Sequence, residues 1–235
     1  MSKPVSSEWI SIDAEGGRFE GYFVRPPAGS GPGLVLFQEI FGVNAHIRGV
    51  AEQYALAGFV VLAPDVFWRQ QPRVELGYEG ADRDQGRAFG AALQPAVVAA
   101  DVAAAVAALR ARPETGGRKV GAIGYCMGGR LAYVAAASAG VDAAVCYYGG
   151  GIQNMLGLAG GIGCPVQLHY AGHDDHIPPA AVEQVRAALA GKTAEVHFYA
   201  DASHGFNCWA RSSYHPASAA LALGRSLAFL ASALF

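Results

Sequence analysis

The chain has 235 residues, 52% of them hydrophobic and only 15% charged, with a formal net charge of −2 at pH 7. That length suits one large α/β domain with a full core on both faces of a sheet, and the composition excludes a disordered chain. The near-neutral charge offers nucleic acid or an anionic membrane no electrostatic hold, so neither is expected as a partner.

Residues 1–8 contain no apolar segment of the signal-peptide kind. Residues 9–12 and 19–24 alternate apolar and polar side chains around Glu15-Gly16-Gly17, which predicts a β-hairpin. After a turn at 26–32, the continuous apolar run 34–37 predicts a strand inside a parallel sheet. Residues 45–57 read as a helix stopped at Gly58. A strand at 59–63 ends at Pro64-Asp65. Residues 67–80, rich in Gln, Arg, Pro and Gly, form an irregular excursion, and such loops in compact domains are usually functional. Two helices follow at 81–93 and 95–112, broken at Pro95. The Ala-rich stretch 97–109 contains Asp101 and is too short to span a bilayer, and no run of eighteen apolar residues occurs.

Further strands are predicted at 119–123, 142–148, 166–170 and 195–199, and helices at 130–137, 180–190 and 217–234. No internal repeat or linker interrupts the chain, so residues 1–235 are expected to form a single domain. Strands alternating with helices imply right-handed crossovers and a mostly parallel sheet covered on both faces. In such sheets ligands bind beyond the carboxyl ends of the strands.

The segment Gly124-Tyr125-Cys126-Met127-Gly128-Gly129 joins the strand at 119–123 to the next helix. G-x-C-x-G in that setting is the nucleophile elbow of an α/β-hydrolase, with cysteine where serine usually stands. Gly124 and Gly128 would relieve collisions in the tight turn, and the helix N-terminus favours a thiolate. Cys146 and Cys164 lie in or beside apolar strands and read as inert core, and Cys208 reads as a packing or surface residue. Four widely spaced cysteines without C-x-x-C pairing fit a reducing cytoplasm.

Two more groups stand at strand ends. Asp174 lies in Gly172-His173-Asp174-Asp175-His176-Ile177-Pro178, and His204 in Ala202-Ser203-His204-Gly205-Phe206. Nucleophile, acid, histidine is the α/β-hydrolase chain order. The histidine handles the nucleophile's proton, and the carboxylate fixes its tautomer. Asp174 and Asp175 both stand near the right position, and the place two residues after Gly172 and four before Pro178 favours Asp174. The His173–His176 cluster matches no zinc signature, so no metal is expected there. His197 falls mid-strand and reads as structural. By position, the backbone amides of Ile40 and Met127 would form the oxyanion hole, with Glu39 at the mouth of the site.

Gln38-Glu39-Ile40-Phe41-Gly42-Val43-Asn44, the elbow, and Ser203-His204-Gly205-Phe206, with a matching Asp174, together resemble the dienelactone hydrolase (carboxymethylenebutenolidase) family over nearly the whole chain. The resemblance implies a cysteine hydrolase that opens the lactone ring of dienelactone to maleylacetate without metal or organic cofactor. It implies that Glu39 interacts with the resting thiol and helps to generate the thiolate, and that Arg83 binds a substrate carboxylate through paired hydrogen bonds. The best-studied type in the family carries a second arginine a few residues after the histidine, where this chain has Asn207-Cys208-Trp209, while the nearby run Arg211-Ser212-Ser213-Tyr214 resembles a pattern in the wider family. Gly90 stands where an aromatic residue is usual. Trp68, Tyr147, Tyr148 and Trp209 are candidates for the pocket wall. The expected partner is a small lactone or ester, and the expected state a monomer or small homo-oligomer. A broader carboxylesterase or thioesterase on the same scaffold is the alternative activity. A redox- or electrophile-sensing thiol at Cys126, without turnover, is the alternative from another class.

Overall fold

The computed structural model describes residues 5–235, so the first part of the N-terminal segment read above lies outside the described residues. Eight strands, β1 (Ser6–Ala14), β2 (Gly17–Arg25), β3 (Gly33–Phe37), β4 (Val60–Pro64), β5 (Val120–Tyr125), β6 (Ala144–Tyr147), β7 (Val166–His173) and β8 (Ala194–Ser203), form one sheet in the order β1-β2-β4-β3-β5-β6-β7-β8. The first two make the expected hairpin, and β2 meets β4 antiparallel. Every pairing from β4 to β8 is parallel. The helices are α1 (Ala45–Leu56), α2 (Gly80–Ala92), α3 (Pro95–Arg110), α4 (Met127–Ser138), α5 (Pro179–Ala188) and α6 (Pro216–Leu234). An antiparallel hairpin leading a parallel sheet, with a tight strand–helix turn after β5, is the α/β-hydrolase fold.

Every residue of β3, β4, β5 and β6 is buried, because helices cover both faces of the sheet. Gly33 and Val120 face Leu109 of α3, whereas Gly121 faces Leu234 of α6, so these helices lie on opposite sides. The α4 helix packs against α3. Tyr54 of α1 and Phe235, just beyond α6, both meet Phe59 edge-on, with centroids 6.2 and 5.2 Å away. Asn44 starts α1 by accepting the Ile47 amide at 3.3 Å, and Gly58, at φ 102, ends it.

The excursion at 67–80 is pinned rather than loose. Gly42, at φ 80, bridges to Glu75, and a Cβ there would lie 1.7 Å from the Val74 carbonyl. Asp65 accepts the amides of Phe67 (3.1 Å) and Arg73 (2.7 Å). This fixed path delivers α2 to the carboxyl ends of the strands.

Three departures from the sequence expectation matter. Strands β7 and β8 run past their expected ends at 170 and 199 because they pair with each other, through a register shift at Ala171/His173. Strand β6 is shorter than 142–148, since the Asp142 carboxylate accepts the Val120 amide (2.8 Å) and Arg110 (3.1 Å), and Tyr148 turns to φ 35. Short 3-10 turns occupy Ile152–Asn154 and Leu156–Gly161, a stretch that the hydrophobic pattern leaves unassigned. Helix α6 is long and apolar enough to cross a membrane by length and composition, with mean hydropathy 1.5. In this fold it lies on β5 and β7, with Ala222, Leu230 and Leu234 buried.

Candidate active site

Cys126 sits between β5 and α4 at φ 55, ψ −116, a backbone conformation rare for a side-chain-bearing residue. Such strain costs about 1–3 kcal/mol and persists only when the surroundings impose it. Here they do. A Cβ on Gly124 would lie 2.0 Å from the Gly128 carbonyl oxygen, and one on Gly128 would lie 2.1 Å from that of Phe37. The Cys126 amide donates to the Tyr147 carbonyl at 3.0 Å, tying the turn to β6. Met127 opens α4, where the first-turn amides have no intrahelical acceptor.

The extended ends of β7 and β8 bring Asp174 and His204 together. Asp174 Oδ2 accepts from His204 Nδ1 at 2.7 Å, and its Oδ1 accepts the His176 amide at 2.9 Å. Asp175 and His173 are exposed, so of the two carboxylates it is Asp174 that meets the imidazole. Burial alone would push the His204 pKa down. The electrostatic interaction with Cys126 and the bond to Asp174 outweigh it and raise the pKa to about 10. With Nδ1 committed to Asp174, Nε2 is the nitrogen left for the sulfur.

A cavity of about 280 Å³ opens onto Cys126 and His204, lined also by Ile40, Phe41, Arg83, Arg87, Gly150, His176 and Arg211. A wider groove of about 500 Å³, which includes Gln167, Glu195 and Arg225, holds neither Cys126 nor His204. Gly86 and Gly90 let α2 approach, since added Cβ atoms would lie 2.5 Å from the Ile40 carbonyl oxygen and 3.3 Å from its side chain. Among the described residues the Ile40 amide donates to no main-chain or side-chain acceptor, and Ile40 lines the cavity.

Arg87 and His176 at this cavity were not singled out for it by sequence reasoning. Arg87 follows Arg83 by four residues and so shares its helix face, a signal that was available. His176 was weighed only as a metal ligand. Its ring now lies 5.2 Å edge-on from that of His204.

Glu39 is buried at the end of β3, and its Oε1 accepts from Arg211 Nη1 at 3.1 Å. Burial raises its carboxyl above the usual range, partly opposed by the charges of Arg211 and His204. Among the described residues no hydrogen bond joins Glu39 to Cys126, and its carboxylate is held by Arg211. Gly205, at φ 81, makes room for the arginine, because a Cβ there would fall 2.3 Å from Arg211 Nη1. Arg211 is therefore both a cavity wall and the partner of Glu39.

Several expected wall residues are elsewhere. Trp209 is outside the cavity lining, packed edge-on against His46 at 4.2 Å. Tyr148 is fully buried and backs His204, with ring centroids 5.1 Å apart, instead of facing the cavity. Tyr147 bonds Ser226 at 2.8 Å and Trp68 bonds Asp101 at 3.0 Å, both away from it. Cys208 is fully buried, not at the surface, and burial pushes its thiol up to about 11. Cys146 is buried as expected, and its thiol is likewise raised. All four cysteines are free. His197 meets Glu195 at 3.2 Å on the β8 edge.

Residues 19–234 match the model of the Dienelactone hydrolase family. The chain is 35% identical over 228 residues to a carboxymethylenebutenolidase of Pseudomonas putida, covering 96% of each chain. It is 37% identical over 232 residues to a carboxymethylenebutenolidase of Pseudomonas sp. strain P51, covering 95% of this chain and 94% of that one. A Klebsiella pneumoniae crystal structure assigned to dienelactone hydrolase superposes with a TM-score of 0.87 at 31% identity, covering 97% of this chain and 99% of the other.

Proposed function

Since the chain belongs to the dienelactone hydrolase family and is thus a hydrolase of lactones or carboxylic esters, we propose that it opens small unsaturated lactones through a thioester on Cys126. One observation carries this reading: the sulfur-bearing residue at φ 55 shares a cavity with an imidazole that a buried carboxylate holds at 2.7 Å. Asp174 orients His204 and stabilises its cationic form.

In the proposed reaction the Cys126 thiolate attacks the lactone carbonyl carbon. The carbonyl oxygen becomes an oxyanion, received by the Ile40 and Met127 amides. On collapse the ring C–O bond breaks, and the leaving enolate oxygen takes the proton of the His204 imidazolium. The product remains attached as a thioester. Water then attacks the thioester carbonyl, neutral His204 accepts its proton, and the thiolate leaves. The net change is addition of one water across the ring ester, and the released enol relaxes to its keto form. Glu39 acts as a charge beside the thiol whose strength Arg211 moderates. Arg83, with Arg87 on the next turn of α2, faces an anionic group of the substrate, consistent with a dienelactone-type carboxylate. A reducing compartment such as the cytoplasm would keep Cys126 available.

The test is steady-state hydrolysis of cis- and trans-dienelactone beside a neutral aryl ester, with and without alkylation of the thiol. Lactone turnover abolished by alkylation supports the reading. Preference for acyl esters would indicate a broader esterase, and stoichiometric labelling without turnover a sensing thiol.

A further inference from the structure

A second cluster lies behind the cavity. Glu39 at the end of β3, His46 in the first turn of α1 and Cys208 between β8 and α6 present ligand atoms that all lie within 4.8 Å of one another. The three residues are 1%, 3% and 0% exposed, and none lines the cavity containing Cys126. Neither ring nitrogen of His46 has a hydrogen-bond partner, although the ring is enclosed. The Asn207 main chain lies close enough to favour a protonated ring but makes no acceptable hydrogen bond with it. Leaving such a buried polar group unsatisfied is costly, so an enclosed imidazole with no partner beyond the nearby Asn207 main chain calls for a ligand.

The chemistry of the set narrows that ligand. Carboxylate, imidazole and thiol together suit zinc and the softer divalent transition metals, whereas magnesium and calcium take oxygen ligands. Zinc bonds of about 2.0–2.3 Å place neighbouring ligand atoms roughly 3.3–3.8 Å apart, a modest closure of the present spacing. Loss of the Cys208 proton on binding would leave the two anionic ligands balancing the dication. The competitor is Arg211, which holds Glu39 Oε1 at 3.1 Å. We propose that Glu39, His46 and Cys208 form a site for a zinc-type divalent cation, filled in competition with Arg211 for the Glu39 carboxylate.

An occupied site frees the Arg211 guanidinium towards the cavity and withdraws the Glu39 charge, so the metal acts as a reversible inhibitor. This consequence rests on the lactonase reading, and the following experiment reads binding alone so that the two can fail separately. Cobalt(II) is titrated into the Cys126→Ala protein, which removes the other thiol near a histidine. The expected result is one cobalt per chain with sulfur-to-cobalt charge-transfer absorption, displaced by zinc. The absorption disappears in Cys126→Ala/Cys208→Ser, and affinity falls at least tenfold in Cys126→Ala/His46→Gln. Adding Arg211→Gln, which keeps all three ligands, tightens cobalt binding by about tenfold or more by removing a charge-assisted competitor. Circular dichroism establishes that each variant is folded. Absence of the thiolate band in folded Cys126→Ala protein overturns the site, as does its survival without Cys208. Should the Cys208 variant not fold, the His46 and Arg211 variants decide the matter, and unchanged affinity in both overturns the proposal.

Discussion

Arg211 Nη1 donates to Glu39 Oε1 at 3.1 Å, joining two residues 172 positions apart, one a wall of the cavity and the other buried behind it. The carboxylate is almost fully enclosed, while the guanidinium keeps 21% of its side-chain surface. Replacing Glu39 by Gln leaves a largely buried cation without its counter-ion. The expected loss is roughly 2–4 kcal/mol in urea unfolding. The Glu39→Gln/Arg211→Gln double variant should recover part of it, and a strictly additive double variant would show that the pair is not coupled.

Cys126→Ala is expected to abolish turnover, with kcat falling by on the order of 10⁴-fold or more. Cys126→Ser should retain a small residual rate, because a hydroxyl is not ionised by His204 to the extent that a thiol is. Burst kinetics with a chromogenic ester check both. Wild-type rates in the alanine variant would remove Cys126 from the mechanism.

His204 carries a pKa raised from 6.5 to about 10, so its ring should stay cationic through the neutral range. Its NMR resonances are expected to be flat between about pH 6 and 9. The folded chain binds this proton more tightly than the unfolded chain. The resulting stabilisation is therefore full below pH 6.5 and fades as the pH rises through about 10. Cys126→Ala removes the electrostatic partner at position 126 and should bring the midpoint down. A wild-type midpoint near the ordinary value would contradict the ion pair.

Asp174→Asn keeps the shape of the 2.7 Å contact but loses the charge and can hold the wrong tautomer. A fall in kcat of about 10⁴-fold is expected, with a smaller change in KM. Asp175→Asn, at an exposed position, should stay near wild type and serves as the control. Equal effects of the two changes would remove the distinction between them.

Arg83→Gln and Arg87→Gln should each raise KM for anionic lactones by roughly ten- to a hundredfold, the worth of a charge-assisted hydrogen bond. Neutral aryl esters should be affected little. A loss shared by both substrate types would point to damage in α2 packing instead of substrate recognition.

The strands of the parallel sheet, the elbow and the residues at the ends of β5, β7 and β8 were legible in the sequence because each is written locally. A buried parallel strand is a short apolar run, and the elbow demands glycines flanking Cys126, where added Cβ atoms would meet main-chain atoms at about 2 Å. Wall residues were less legible. Tyr148 and Trp209 carry the right chemistry, but the φ 35 turn after β6 buries one and the ring of His46 draws the other away.

By itself, then, the amino-acid order determined the fold class and singled out Cys126, Asp174 and His204 as candidates, since hydrophobic period and turn chemistry act over a few residues. The tertiary structure decided that Arg211 answers Glu39, that the α2 face shared by Arg83 and Arg87 lies at the cavity, and that Glu39, His46 and Cys208 converge behind it. Those meetings depend on how far β7 and β8 extend and how closely the glycine face of α2 packs. Both are set by contacts between segments distant in the chain, whose pairing no local pattern encodes.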